Sequence, residues 1–556
     1  MSLMGSFYTG VSGLNASQNA LNTVAHNLAN VDTKGHTRQM VEQGNRIYLN
    51  VGEAGTSTMQ VGLGVDITKV RSARDYFLDL AYRESAGRES YYTTQREAVS
   101  EINTVFGEMI GNPFRNALSA FQQSIESLQE KPGDATRQAQ VVTNANIMIE
   151  RAQAVYNGLA KYQDNLNEQI KDQVNSINKI AEEIYELNGK IAVIEAGGIE
   201  TANDMRDARN YLIDRLASYG NITFYEDSFH YVNIQFEGTD LVKRGILNKM
   251  GVIETEPEAG FYTPVWTTLG DQNVFNLDVP VSSLHLTDKG SLRSLIDARG
   301  DKRGCYADMY EYTDTLSGKD YTDDGTVSGD KSTAAFDRVA GSSVASSMAM
   351  FDYLIYSIVD GVNSILTRYS TGPNDDEHQP LFDSMSTGAT NVHGQDTEFS
   401  VNHLRVNPKL LEEPAGMNHG FILELDEATV DQETADMLRD FFKTTGETLK
   451  VDPNDATKNI TTGLTLTPDT ISLLKVSEYY TGIVQSYADI GNLYKNMEDS
   501  LEAQLNTNED ERQSVIGVSD SDELTHMIRY QNAYNASSRY FNVVNEMLEN
   551  LLSQLA

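Results

Sequence analysis

Few side chains in this 556-residue chain stand at spacings that chemistry uses. Gly62-Leu63-Gly64 is the nearest approach to a nucleotide-binding loop. No third glycine follows at the fingerprint position and no helix opens behind it, so a turn between strands is the reading. Asp375-Asp376-Glu377 beside His378, and the set Asp320, Asp323, Asp324 and Asp330, could gather a divalent cation on carboxylate oxygens. Neither has EF-hand spacing or the closing bidentate Glu, and both read as solvated acidic loops. The nine histidines contain no His-x-x-x-His pair with a metalloprotease glutamate. Gly341-Ser342-Ser343-Val344-Ala345 is not a nucleophile elbow. His26 lies on an otherwise uncharged segment and reads as a hydrogen-bonding interface residue. The expectation is no catalytic, cofactor-binding or metal site, and no enzyme.

What the chain carries instead is pattern. Residues 1–31 contain no Asp, Glu, Lys or Arg. Within them Met4, Phe7, Val11, Leu14, Gln18, Leu21, Ala25 and Leu28 alternate at spacings of three and four. At the other end Met527, Tyr530, Tyr534, Ser537, Phe541, Val544, Leu548, Leu551 and Leu555 do the same. Only Gln18 and Ser537 break the two series. Such spacing places one apolar seam along a helix, the pattern of helices that pack lengthwise. The remainder of the first helix is Asn, Ser, Thr, Gln and Gly, which are poor helix formers and carry no solvating charge. One partner helix barely offsets the cost of ordering it, whereas a polymer supplies many neighbours. The apolar seam residues, Met4, Phe7, Val11, Leu14, Leu21 and Leu28 with Met527, Tyr530, Tyr534, Phe541, Val544, Leu548, Leu551 and Leu555, are therefore expected to form an assembly interface. An ordinary intramolecular coiled coil between the termini is the alternative.

Composition narrows the partners. With 43 basic and 80 acidic residues the formal charge is −37, which argues against nucleic acid or an anionic membrane surface, both of which demand a basic patch. No run approaches the eighteen apolar residues of a membrane span. The first residues lack the basic and apolar regions of a cleavable secretory signal. Cys305 is the single cysteine, so no intrachain disulfide or thiolate metal site can form. That suits the cytosol, and it equally suits a chain exported unfolded through a narrow channel.

The length requires several domains. Short β-like runs are expected over 39–49 and 59–70, then helices over 74–110 and 134–196. The second half of the latter repeats in heptads through Leu166, Ile170, Gln173, Ile177, Ile180, Ile184, Leu187, Ile191 and Ile194, and Gly197-Gly198 ends it. A helix over 203–219 is followed by a hairpin, 222–225 with 231–236, and by further period-two runs. The spacing predicts helices over 291–299 and 348–368. Residues 316–346 are rich in Gly, Ser, Thr and Asp and read as a surface insertion. Residues 371–460 hold 18 acidic and 6 basic side chains with a mixed pattern. Helices over 472–506 and from 520 onward close the chain. The fold class expected is multidomain α+β, with a long helical coiled coil or bundle from both termini and an inserted β-rich outer region. Its parts are an inner terminal assembly domain (1–73 with 507–556), a helical rod (74–220 with 347–370 and 465–506), a β-rich insertion with a flexible loop at 316–346 (221–346), and an acidic mixed outer region (371–464).

Leu28-Ala29-Asn30-Val31-Asp32-Thr33-Lys34-Gly35 resembles the Leu-Ala-Asn-x-x-Thr-x-Gly signature of bacterial flagellar axial proteins, with Asn30, Thr33, Gly35, Arg38 and Gln39 as the motif residues. An aromatic residue usually follows that glycine; here it is His36. Gly62-Leu63-Gly64-Val65, running on to Arg71, Asp75, Phe77-Leu78 and Arg83, is similar to the next block of the family. Asn203-Asp204-Met205-Arg206-Asp207-Ala208-Arg209 with Leu212-Ile213-Asp214, and Gly290-Ser291-Leu292-Arg293-Ser294-Leu295-Ile296-Asp297-Ala298-Arg299, resemble segments of its hook-associated branch. Ile528-Arg529-Tyr530-Gln531-Asn532-Ala533-Tyr534 onward to Arg539 resembles the branch's C-terminal helix. Residues 316–460 show little likeness beyond Asn402 to Leu411.

The resemblance implies a structural subunit at the junction of flagellar hook and filament, polymerising as a ring in the axial tube. It also implies contacts to hook protein and the second hook–filament junction protein, a cytoplasmic export chaperone on the C-terminal helix, and an extracellular, flagellar location reached without a cleaved signal. It implies no cofactor. The alternative from another class is a secreted acidic binding or adhesion protein with a coiled-coil base.

Overall fold

The computed structural model describes residues 3–555 apart from 47, 55–56, 108–112, 199, 257–259, 278, 280, 284, 286, 310–330, 369–378, 392–393, 413–427, 450–459 and 468–472. Both candidate acidic cation loops fall outside the described residues, as do residues 316–330 of the expected surface insertion.

The chain begins with α1 (Leu3–Ala29), followed by strands β1 (Gln39–Asn45), β2 (Tyr48–Ala54), β3 (Ser57–Gly62) and β4 (Val65–Ser72). β1 pairs with β4 and β2 with β3, both antiparallel. Gly64 turns the chain between β3 and β4 at φ +103°, and a Cβ there would stand 1.9 Å from Ser12 Oγ, so only glycine lets this turn lie against α1. Next come α2 (Tyr76–Gly107), α3 (Phe114–Glu130) and α4 (Ala135–Glu195). At 61 residues α4 spans roughly 90 Å. Asp134 starts it by accepting hydrogen bonds from the amides of Thr136 (2.9 Å) and Arg137 (3.4 Å). Its heptad face is buried at Leu166, Ile170, Ile177, Ile180, Ile184 and Ile191, half-buried at Gln173 and Leu187, and exposed at Ile194, where the rod ends.

After α5 (Asn203–Ala217), strands β5 (Ile222–Glu226), β6 (Val232–Phe236), β7 (Thr239–Lys243) and β8 (Ile246–Leu247) form one antiparallel sheet in sequence order. Strands β9 (Met250–Glu256), β10 (Phe261–Trp266) and β11 (Gln272–Asn273) form another, with β10 central. Three asparagines of α4 dock these sheets. Asn188 donates to Val232 O (2.9 Å) and accepts from its amide (3.1 Å). Asn178 does the same with Met250, at 2.8 and 2.9 Å. Asn167 bonds Gly260 O (2.9 Å) and the Tyr262 amide (2.7 Å). Their spacings of eleven and ten residues are close to three helical turns, so all three lie on one face and satisfy strand groups that would otherwise be buried unpaired.

The helices α6 (Ser291–Arg299), α7 (Lys331–Ala340) and α8 (Ser343–Leu366) come next. Then follow β12 (Phe382–Ser384), β13 (Leu404–Val406), α9 (Pro408–Glu412), α10 (Ala428–Lys443), β14 (Thr448–Leu449), β15 (Ile460–Thr461), α11 (Val476–Ile516) and α12 (Asp520–Leu555). α11 runs along α2 and α12 along α1, so the two ends of the chain lie together. Long helices at both ends enclosing small central sheets make a multidomain α+β chain.

Three expectations need correction. The flexible loop at 316–346 is too long: Lys331–Ala340 and the residues from Ser343 onward are helical, and Val339, Val344 and Ala345 are fully buried. Its serines act as structure, since Ser342 caps α8 by accepting from the Ala345 amide (3.1 Å) and donates to Ala298 O (2.9 Å). The polar break expected at 507–519 is confined to Gly517–Ser519, and Arg512 within the helical part is held by the buried ion pairs described below. The acidic region 371–464 is not detached from the rod. Leu381, Phe382, Val401, Leu404 and Val406 join the same continuous core as α3, α4 and α8, and Phe121 stacks edge-on against both Phe382 and Phe442.

Candidate functional site: the terminal helix pair and its clamp

α1 and α12 pack along each other where small residues allow a close approach. Phe7 and Phe541 meet at 4.8 Å between ring centroids. A Cβ on Gly13 would stand 2.7 Å from Ser537 Oγ, and one on Gly10 3.3 Å from the Tyr540 ring. The fully buried stripe of α1 is Ser12, Ala16, Ala20, Val24 and Asn27, not the apolar heptad seam. Ser12 accepts from the Val65 amide at 3.3 Å. Asn27 exchanges two 3.0 Å bonds with the backbone of Gln39, so this stripe is the one laid against β1 and β4.

The heptad positions stand at the border of the pair. Phe7, Val11, Leu14, Leu21 and Leu28 are half-buried, and Gln18 and Ala25 are exposed. On α12, Val544 is buried, Met527, Tyr530, Phe541 and Leu548 are half-buried, and Tyr534 and Leu551 are exposed. Met4 and Leu555 lie within the helices, but their side chains fall outside the described residues. One neighbouring helix thus covers only part of each seam, because the backbone contact runs through glycine and serine rather than through the large residues.

The exit from α1 is built by the motif residues. Asn30 Nδ2 donates to His26 O (3.0 Å) and Thr33 Oγ1 donates to Asn30 Oδ1 (3.2 Å), closing the turn. Gly35 takes φ +84°, with Tyr211 so near that an added Cβ would meet its side chain at 3.0 Å. Arg38 pairs with Glu523 at 2.8 Å, and its amide bonds Ile516 O at the same distance. Glu523 is 2% exposed and lies in the first turn of α12, where a negative charge also suits the helix dipole. Gln39 Nε2 donates to Asp204 Oδ1 at 2.7 Å.

The first turns of α5 clamp this exit to the rod. Asn203 donates to Val70 O (3.1 Å) and accepts from Ser72 (3.3 Å). Asp207 accepts from the Thr37 amide at 2.9 Å and faces Arg74 at 3.7 Å. Burial raises Asp207 to about 6, against the lowering pull of the Thr37 bonds and Arg74. Arg206 forks onto Glu195 (2.6 Å) and Glu226 (2.8 Å). Glu195 is drawn upward by burial, but its bonds from Arg206 and the Ala202 amide hold it below the usual range. Arg209, 1% exposed, bonds Asn188 (3.0 Å) and His230 O (2.9 Å), and burial lowers it to about 10.

A chain of buried charges then links α2, α5 and α11: Arg74 to Asp79 (2.5 Å), Asp79 to Arg512 (3.6 Å), Arg512 to Asp214 (2.8 Å), and Asp214 to Arg83 (2.6 Å). Arg512 also lies 4.0 Å over the Tyr82 ring. Burial acts to lower Arg512, but Asp214, Glu509 and Asp79 outweigh it and hold the group above its ordinary value. Sequence reasoning marked Arg83 and 203–214 through the resemblance, yet missed Arg74, Asp79, Arg512 and Glu523. A lone charge in a polar stretch carries no periodic signal.

His26 Nε2 lies 3.1 Å from Asp204 Oδ1, and the His26 and His36 rings meet edge to face at 5.4 Å. His36 is held below the usual histidine range by burial and by His26, against the raising effect of Asp204. Among the described residues these three side chains are the group that could hold a metal ion. A cleft of about 630 Å³ opens between residues 31–36, α2, α5 and α11, walled by charges of both signs including Arg74, Asp214 and Arg512.

Comparison with known proteins follows the same map. A family model for the helical domain of flagellar hook-associated protein FlgK matches residues 99–318. A model of flagella basal body rod proteins matches 7–37, and one of the C-terminal region of basal body rod FlgEFG proteins matches 515–555. Flagellar hook-associated protein 1 of Bacillus subtilis (strain 168) is 25% identical over 97% of this chain and 96% of its own. That of Salmonella typhimurium is 24% identical over 98% of each. A solved structure, the flagellar hook junction protein FlgK from Burkholderia pseudomallei, aligns with 55% of this chain and 46% of its own at 14% identity and a TM-score of 0.38. Matched at both clamped ends, through the helical middle and over nearly its whole length, this chain is similar to the flagellar hook-associated protein 1 family.

Proposed function

We propose that the chain is a structural subunit of the bacterial flagellum at the hook–filament junction, polymerising through α1 and α12, with no catalytic step of its own. The observation that carries the assembly surface is the apolar stripe left uncovered on α12. Leu524, Ile528, Val543, Met547, Leu551 and Leu552 are all exposed, Met547 by 55% and Leu552 by 63%, although α1 packs along the helix. Val543, Met547 and Leu551 recur every four residues on one side of the helix, and exposed apolar residues grouped in this way mark an interaction surface. Neighbouring subunits forming a ring, hook protein on one side and the second junction protein on the other are the partners that suit it. A cytoplasmic chaperone would cover the same stripe before export, with exposed Arg529, Tyr534 and Arg539 beside it. In domain terms, α1, β1–β4 and α12 form the inner assembly part, and α2–α5, α8 and α11 form the rod.

Replacing Met547 and Leu551 with Asp would put charges into the assembled contact, at a cost of several kcal/mol, while leaving the monomer intact because both side chains are exposed in it. The expected result is a folded, exported protein that leaves hooks without filaments. Normal filaments on cells carrying it would remove α12 as the assembly surface.

A second expectation concerns order before assembly. The terminal helices lean mainly on each other and on two short strands, so they open locally at low cost. Amide exchange in the dilute monomer should be fast over 3–29 and 525–555 and slow over 166–191. Equal protection of both regions would show that the ends are ordered without neighbours.

A further inference from the structure

We infer that His26, His36 and Asp204 form a binding site for one divalent transition-metal ion of the zinc class, stapling the exit of α1 to α5. The three residues come from α1, the loop behind it and α5, and each offers one ligand atom within 4.8 Å of the others. His26 Nε2 and Asp204 Oδ1 already stand 3.1 Å apart, near the ligand-to-ligand edge of roughly 3.3 Å that bonds of about 2.0 Å give a tetrahedral zinc.

His36 supplies the independent observation. Its side chain is only 7% exposed, and its Nε2 is buried without a hydrogen-bond partner. Buried polar atoms are rarely left so. A metal ion on that nitrogen satisfies it. The other nitrogen of His36, Nδ1, faces the Asp207 carboxylate at 3.9 Å, the kind of group that stands behind a ligating imidazole. Gln39 steadies the Asp204 carboxylate at 2.7 Å.

Two imidazoles and one carboxylate suit zinc, nickel or copper; calcium and magnesium prefer oxygen donors. Asp204 is largely exposed, so water can take the fourth position. Because α5 is fixed to the rod through Arg206 and Arg209, an ion here would fix the end of α1 to the rod as well.

The test uses the tag-free full chain, stripped by chelator, with zinc chloride added by calorimetry and cobalt(II) followed by visible absorption. One equivalent of zinc should bind, and cobalt(II) should give a tetrahedral spectrum. His26→Gln and His36→Phe should each weaken zinc by at least about 100-fold, and Asp207→Asn, behind the ligand, by about 10-fold, with helical circular dichroism unchanged. Exchange of the amides of residues 30–39 should slow when zinc is added to the natural chain. Absence of stoichiometric zinc uptake by the natural chain, an octahedral cobalt spectrum, or unchanged affinity in the double histidine variant would overturn the site. The natural chain's cobalt spectrum decides the matter even where a variant folds poorly. None of these readouts depends on ring assembly, so the site and the junction role fail independently.

Discussion

Arg512→Met is expected to destabilise the base of the molecule by about 3 kcal/mol, the lower end of what breaking a buried ion pair costs. Arg512 is 7% exposed and lies between Asp214 at 2.8 Å and Asp79 at 3.6 Å. Removing its charge leaves two buried carboxylates with less compensation than the fold was built around. The loss is held to the lower end because Arg83 still pairs with Asp214 and Arg74 with Asp79. Methionine keeps much of the aliphatic volume against Tyr82, so packing is not the main change. The effect should be read as a lower urea midpoint and as faster exchange of the Arg38 amide, whose acceptor is Ile516 O at the end of the same helix. Combined with Asp214→Asn, the loss should fall short of the sum of the two single losses, because the pair is coupled. A change within about 0.5 kcal/mol of the natural chain, the range of ordinary surface substitutions, would mean that the charged chain does not hold α11 to α2 and α5.

Phe351→Ala should cost more, about 3–5 kcal/mol, the range for deleting a buried aromatic ring. Phe351 lies on α8 with no exposure, its ring 5.1 Å from Phe114, 5.8 Å from Phe106 and 6.1 Å from Tyr480. Those partners belong to α3, α2 and α11, so the single ring joins four helices of the rod, and a close-packed interior cannot refill the gap it leaves. Phe229→Ala is the matched control. That ring is 54% exposed and touches the Arg244 guanidinium at 3.8 Å, so its removal should cost under about 1 kcal/mol. Similar losses for the two substitutions would show that the rod does not share one continuous core.

The sequence alone was enough for the elements whose patterns are long. The heptads of 166–191, the helix over 291–299 and the hairpin around residues 226–230 all lie where periodicity and turn residues place them, because burial on one face imposes a period that no other structure satisfies. The likeness of residues 28–39, 203–214 and 528–539 to a flagellar family was legible in the same way. It was less informative about how those blocks act, and their geometry explains why. Asn203, Asp204 and Asp207 are more than 160 positions from residues 26–39 in sequence, yet they bond directly to them or to the strand beside them.

Only the tertiary structure decided which face of α1 is covered. The apolar seam and the small-residue stripe are both helical in period, and the choice between them depends on how closely a neighbour's backbone can approach, which glycine and serine settle at 10, 12, 13 and 64. It also decided that the polar stretch before Gly517 is helix, since Arg512 and Glu509 read as solvent-facing until Asp214 and Asp79 are brought beside them. His36 shows the same limit. As a sequence residue it is only a departure from an aromatic position; folded, it stands beside His26 and Asp204 with one nitrogen unpaired. Periodicity reports burial averaged along an element, whereas ion pairs and ligand sets depend on single atoms from distant segments, and chain folding alone brings those together.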